Sequence, residues 1–199
     1  FWRSNKCLRA LEDEAVSLLE EVGLADLRHH RAADLPYGRK RGLEIATTLA
    51  LDPKLLLLDE PLAGMGQEDI GRTSELISRL AKTRTVLMVE HNLSMPRFPA
   101  TRRLLKPILE RSMTPMSDNL LKEPSAAVAP DALLNVSGLQ GWYGESHVLH
   151  NINLTVKKGE LVTLLGRNGA GKTTTLKAIM GLLKARSGSI KFGDAELIN

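Results

Sequence analysis

At 199 residues, with 43% of them hydrophobic and 25% charged, the chain holds enough apolar material for one generous domain or two small ones, which excludes a disordered protein. Its single cysteine, Cys7, excludes an internal disulfide and has no metal-ligand spacing around it, so a reducing compartment, the cytosol by default, is expected. A formal charge of +4 and a pI near 9.3 raise a nucleic-acid or lipid-headgroup partner, to be judged by where the basic residues fall; several crowd between Arg97 and Arg111.

In chain order, Leu11, Ala15, Leu18, Leu19 and Val22 recur at helical spacing among acidic residues, and Gly23 follows as a stop, so an amphipathic helix is expected from Leu11 to Val22. Leu43 to Leu51 reads as a second helix, ended by Asp52-Pro53. Lys54 to Leu58 is a short apolar run typical of a buried parallel strand, and it closes on Asp59 and Glu60. A helix from Glu68 to Ala81 and a strand from Thr85 to Val89 then give the strand, helix, strand order of a parallel α/β sheet, with His91 at its end.

Beyond Met95 the patterning fails, because Pro96, Pro99, Pro107 and Pro115 interrupt a basic segment without helical or strand period, and Ser117 to Asp131 reads as a linker. Order returns with strands expected at Leu133–Leu139, Val148–Val156 and Leu161–Leu165, a helix at Gly171–Leu183 and a strand near Ser189–Phe192. This is the opening of a second α/β unit. No apolar run approaches the roughly 20 residues that span a bilayer, so any membrane role is expected to come through a partner. Phe1 in place of an initiator methionine, and Asn199 directly after a strand-like segment, give both ends the look of cuts.

Gly166 to Thr173 fits G-x-x-x-x-G-K-[ST], with an apolar strand before it and a helical run after it, the context this motif requires. The glycines let the backbone curl so that successive amides and a helix N-terminus face phosphates. Lys172 would reach the β- and γ-phosphates, and the Thr173 hydroxyl would enter the shell of a magnesium ion. A purely structural glycine turn is the bland alternative.

Asp59 and Glu60 stand at the carboxyl end of a buried strand, where open α/β sheets bind their ligands. Asp59 suits a magnesium-bound water, and Glu60 suits a general base or a group that orients the attacking water. The alternative is an acidic pair that merely caps a strand before Pro61. His91 could hydrogen-bond a γ-phosphate, but a lone histidine after a strand is more often just a surface residue.

Together these motifs resemble the nucleotide-binding subunits of ABC transporters, most closely the paired ATPases of branched-chain amino acid importers. Leu35-Pro36-Tyr37-Gly38-Arg39 sits where that family has its signature sequence, Asp59-Glu60 matches Walker B, Ala63-Gly64-Met65 the D-loop and His91 the switch histidine. In the second segment Tyr143 matches the aromatic residue that stacks on adenine, and Gly166 to Thr173 is Walker A. The resemblance therefore implies ATP and Mg2+ as cofactors, with Glu60 and His91 as the catalytic pair and Asp59 and Thr173 at the metal. Tyr143, Gly166, Asn168, Gly169, Ala170, Gly171, Lys172, Thr173 and Thr174 would hold the nucleotide, and Leu35 and Gly38 would face that of an opposing subunit. Pro36 departs from the usual signature, since it has neither hydroxyl nor amide hydrogen to offer a phosphate.

The order departs further: the family runs Walker A, glutamine loop, signature, Walker B, histidine, whereas here Walker A comes last and no glutamine loop is present in the sequence. The expected fold is therefore an incomplete P-loop ATPase of the ABC type in two partial α/β units. Residues 1–95 form the back of one cassette, 96–132 a basic, proline-rich seam and 133–199 the front of another. Joined fragments of two neighbouring proteins, with Met116-Ser117-Asp118 as an old start, are the simplest account, and the basic cluster is then an accident. A natural permutant whose halves fold on each other is the sharper alternative. The implied partners are permease subunits and a second ATPase subunit, in a homo- or heterodimer at the inner face of the membrane. No nucleic acid is expected, though salt-sensitive RNA binding would revive that reading.

Overall fold

A computed structural model of the chain describes residues 5–91, 101–105 and 131–198. Helix α1 (Asn5–Glu21) begins earlier than the apolar spacing suggests and stops as expected. Gly23 takes a left-handed φ of 71°, the Gly23 amide bonds Glu20 O at 3.0 Å and the Leu24 amide bonds Leu19 O at 2.7 Å, a Schellman-type close. Two short 3-10 turns (Ala25–Leu27, Ala32–Asp34) lead into α2 (Tyr37–Leu49). This helix starts six residues before the expected Leu43, because Pro36 stands at its N-cap and the run Arg39-Lys40-Arg41 masks the apolar period of its first turn. Strand β1 (Leu55–Asp59), helix α3 (Gln67–Leu80) and strand β2 (Thr85–Glu90) follow close to expectation.

Strand β3 (Thr101–Leu105) is a correction, for it lies inside the stretch read as lacking any strand period. It pairs with one neighbour only, and an edge strand needs a ladder partner rather than an alternating pattern to form. Its Arg102, a member of the cluster read as accidental, bonds both carboxylate oxygens of Glu160, at 2.6 and 3.3 Å, and donates to Thr155 O. Arg97, Arg111, Met95 and the Met116-Ser117-Asp118 start lie outside the described residues.

The second segment opens with a long hairpin, β4 (Ala132–Tyr143) and β5 (Ser146–Lys157), then β6 (Leu161–Leu165), α4 (Lys172–Ile179), β7 (Arg186–Phe192) and a short β8 (Ala195–Glu196) that sequence periodicity does not reveal. Helix α4 ends before the expected Leu183, since Gly181 turns left-handed at φ 78°.

One sheet draws strands from both segments and the seam. The parallel four-stranded sheet runs β1-β2-β6-β3, so β6 of the second segment inserts between β2 of the first and β3 of the seam, with Leu87 opposite Val162 and Leu104 opposite Leu164. An antiparallel sheet, β5-β4-β7-β8, lies beside it. Side chains alternate across the parallel sheet as the pleat requires: Leu56, Val86, Met88, Leu161 and Leu165 join a core with α2 and α3. Leu87, Val89, Val162 and Leu164 join another with α4 and the antiparallel sheet.

This shared core gives a stability prediction. Leu87 is fully buried and clusters with Leu134, Val162 and Leu176 of the second segment. Leu87→Ala is expected to cost about 3 kcal/mol in chemical denaturation, the usual loss for a deleted core leucine. If the segments pack as separate bodies, the loss appears in the first segment's transition alone; a shared core lowers one common midpoint.

Candidate nucleotide-binding site

The site lies where β1, β2 and β6 end side by side. Past Leu165 the chain enters the phosphate loop, in which Gly169 (φ 80°) and Gly171 (φ 77°) adopt conformations that residues with a Cβ rarely take, and Gly171 is the N-cap of α4. The first helical residues are therefore Lys172 and Thr173, beside the unpaired amides of the helix start. Lys172 is 5% exposed, and its Nζ donates to Arg167 O at 3.0 Å, across the loop. Asn168 and Gly169 are exposed, whereas Gly166, Ala170 and Thr174 are half-buried.

The Thr173 hydroxyl donates to Asp59 Oδ1 at 3.0 Å although the two residues are 114 positions apart in sequence. A hydroxyl and a carboxylate oxygen meeting at the mouth of an anion-binding loop are a fitting donor set for magnesium, which takes few protein oxygens and keeps several waters. Next to Asp59, Glu60 adopts a left-handed φ of 46°, unusual for a residue with a side chain. Its amide bonds Val89 O at 3.0 Å, and its Oε1 lies 3.4 Å from His91 Nδ1, both side chains partly exposed. The carboxylate and imidazole thus face each other at the ends of adjacent strands.

Tyr143 closes β4 at the hairpin turn with its side chain half exposed, as a stacking platform requires. Beside it Trp142 stacks on His147, ring centroids 4.7 Å apart. Leu35 is buried, a Cβ at Gly38 would strike the Asp69 side chain at 2.4 Å, and among the described residues no hydrogen bond or ion pair joins either to the phosphate loop.

Sequence reasoning missed Glu90, the last residue of β2. It is 1% exposed, and its Oε1 accepts the Leu62 amide at 3.1 Å. Burial raises its carboxyl above the ordinary value, while the Leu62 and His91 amides pull the other way. A carboxylate closing an otherwise apolar strand immediately before His91 was the available signal.

A strand running into a glycine-rich loop, a helix opening on Lys-Thr and an acidic pair on a neighbouring strand define an α/β P-loop nucleotide-binding fold. The chain belongs to the ABC transporter family, whose sequence model matches residues 3–63 and 149–199, which hold Leu35 to Arg39, Asp59-Glu60 and Gly166 to Thr173. A putative ABC transporter ATP-binding protein of Methanosarcina mazei is 30% identical over 210 residues, covering 94% of this chain and 40% of that protein. A ribose import ATP-binding protein of Rubrobacter xylanophilus is 29% identical, covering 91% and 39%, and a nucleoside import ATP-binding protein of Lactococcus lactis is 27% identical, covering 98% and 42%. The chain therefore spans about two fifths of the length of these relatives. Among solved structures, the ADP conformation of MJ1267, an ATP-binding cassette of an ABC transporter, is 31% identical over 42% of this chain and 33% of that one, with a TM-score of 0.40.

Proposed function

We propose that the chain binds magnesium-ATP and hydrolyses it to energise an ABC importer. The observation that carries this reading is the Thr173–Asp59 hydrogen bond of 3.0 Å, which brings the phosphate loop and the acidic strand end into one site within one chain. Lys172 and the loop amides would hold the phosphates, Thr173 and Asp59 the magnesium, and Tyr143 the adenine. Glu60 would take the proton of the attacking water, with His91 beside it at the γ-phosphate. The magnesium, when bound, would neutralise charge developing on the phosphate oxygens.

Among the described residues no hydrogen bond or ion pair joins Leu35 or Gly38 to this loop, which suits a signature that serves the nucleotide of an opposing subunit. A working assembly would then hold a second ATPase subunit and permease subunits on the inner face of the membrane; no described helix is long and apolar enough to cross one. Branched-chain amino acids are the proposed cargo on motif resemblance, while relatives named for ribose and nucleoside import keep other solutes in play. Alignments covering nine tenths of the chain take in both segments in this order, as expected wherever the back of one cassette precedes the front of another.

A second reading, a joined fragment that at most binds nucleotide, draws support from Pro36 in the signature, which has neither hydroxyl nor amide hydrogen to offer a phosphate. Titration of magnesium-ATP into the purified chain, followed by phosphate-release assays, separates the two. Micromolar binding with turnover supports the ATPase. Binding without turnover supports the fragment, and no binding defeats the ATPase reading and leaves a fragment that binds no nucleotide.

A further inference from the structure

The chain immediately after Walker B is a tight turn whose amide groups can be accounted for one by one. The Glu60 amide bonds Val89 O at 3.0 Å, Pro61 has no amide hydrogen, and the Ala63 amide bonds Glu60 O at 3.1 Å. The remaining donor, Leu62 N–H, has its partner in the Glu90 carboxylate at 3.1 Å. Leu62 and Glu90 are both buried, so no solvent stands ready to replace that bond.

Glu60 itself sits at φ 46°, a conformation that persists only where the surroundings over-determine it. Three contacts do so: the backbone bonds donated by the Glu60 and Ala63 amides, and the bond that the Leu62 amide donates to the Glu90 carboxylate. Glu90 also precedes His91 and stands opposite Leu165 in the ladder, one residue before Gly166. The Glu90 side chain thus ties the turn carrying Glu60 to the strand end that precedes His91, while its backbone pairs with the strand feeding the phosphate loop.

We propose that Glu90 is a positioning residue of the hydrolysis site, its buried carboxylate fixing the Glu60–Ala63 turn through the Leu62 amide so that Glu60 is held beside His91. The contribution to turnover rests on the ATPase reading above; the clamp itself does not.

The test uses the full chain with Glu90→Ala and Glu90→Gln, reading amide hydrogen exchange at Leu62 alongside magnesium-ATP affinity and phosphate release. Glu90→Ala is expected to speed Leu62 exchange at least about tenfold relative to Met88 and Val162, and to lower kcat about 10- to 100-fold while the affinity for magnesium-ATP stays within about twofold. Glu90→Gln keeps an acceptor oxygen and is expected to restore both readouts to within about threefold. Unchanged Leu62 exchange in Glu90→Ala overturns the clamp, and so does a glutamine variant as impaired as alanine with Met88 and Val162 equally deprotected, which marks general core damage. A loss of affinity in place of a loss of kcat overturns the positioning role. Absence of turnover in the unaltered chain defeats the ATPase reading and with it the catalytic role, while Leu62 exchange still decides the clamp.

Discussion

Replacing Glu60 with glutamine is expected to lower ATP turnover about a thousandfold while leaving magnesium-ATP affinity within a factor of about three. The size follows from removing a general base, worth roughly two to four powers of ten in rate. Glutamine matches the shape of glutamate, so the turn held by the Val89 and Ala63 bonds should survive, and its amide can still face His91, which lies 3.4 Å from the native carboxylate. Affinity should hold because the phosphates would contact the loop amides and Lys172, none of which meets Glu60 in a hydrogen bond. Steady-state phosphate release and a separate binding titration read the two quantities. Turnover that survives the substitution removes Glu60 from the water-activating role and leaves His91 as the group to test.

Lys172→Ala is expected to have the complementary effect, weakening magnesium-ATP binding at least about a hundredfold, or about 2.7 kcal/mol. Lys172 is buried, and its ammonium bonds the Arg167 carbonyl across the loop. Charge-assisted bonds from such an ammonium to phosphate oxygens are each worth about 1.5 to 3 kcal/mol, more than a screened surface pair supplies. Folding should tolerate the change, because Arg167 is exposed and water can serve its carbonyl. Calorimetric titration with a parallel thermal melt distinguishes the cases. Unaltered affinity would mean that the loop is a structural turn, and a collapsed melting transition would mean that the lysine stem packs the core.

The local parts of this site were legible in the sequence because they are encoded by neighbouring residues. Leu161–Leu165 is recognisable as a strand from a run that is apolar except for Thr163, and it spans those residues in the fold. Gly171 stands at a glycine that the phosphate-loop motif specifies and is left-handed, as is Gly169 within the loop, and Gly23 stops α1 in the same conformation. The acids after Leu58 were placed at a strand end by composition alone.

What the sequence by itself determined is thus the inventory: strand, loop and helix around Lys172 and Thr173, the acidic pair Asp59-Glu60, and the family to which these motifs belong. Tertiary structure decided how the inventory is assembled. Only ladder pairing inserts β6 between β2 and β3, gives Thr101–Leu105 a partner in spite of its unpatterned sequence, and sets Thr173 against Asp59. Only the packing of the turn against β2 gives Glu90 its amide partner and holds Glu60 left-handed. The physical reason is range: periodicity and turn chemistry act between residues a few positions apart, while strand order and buried hydrogen bonds join groups distant along the chain, whose partners no local pattern specifies.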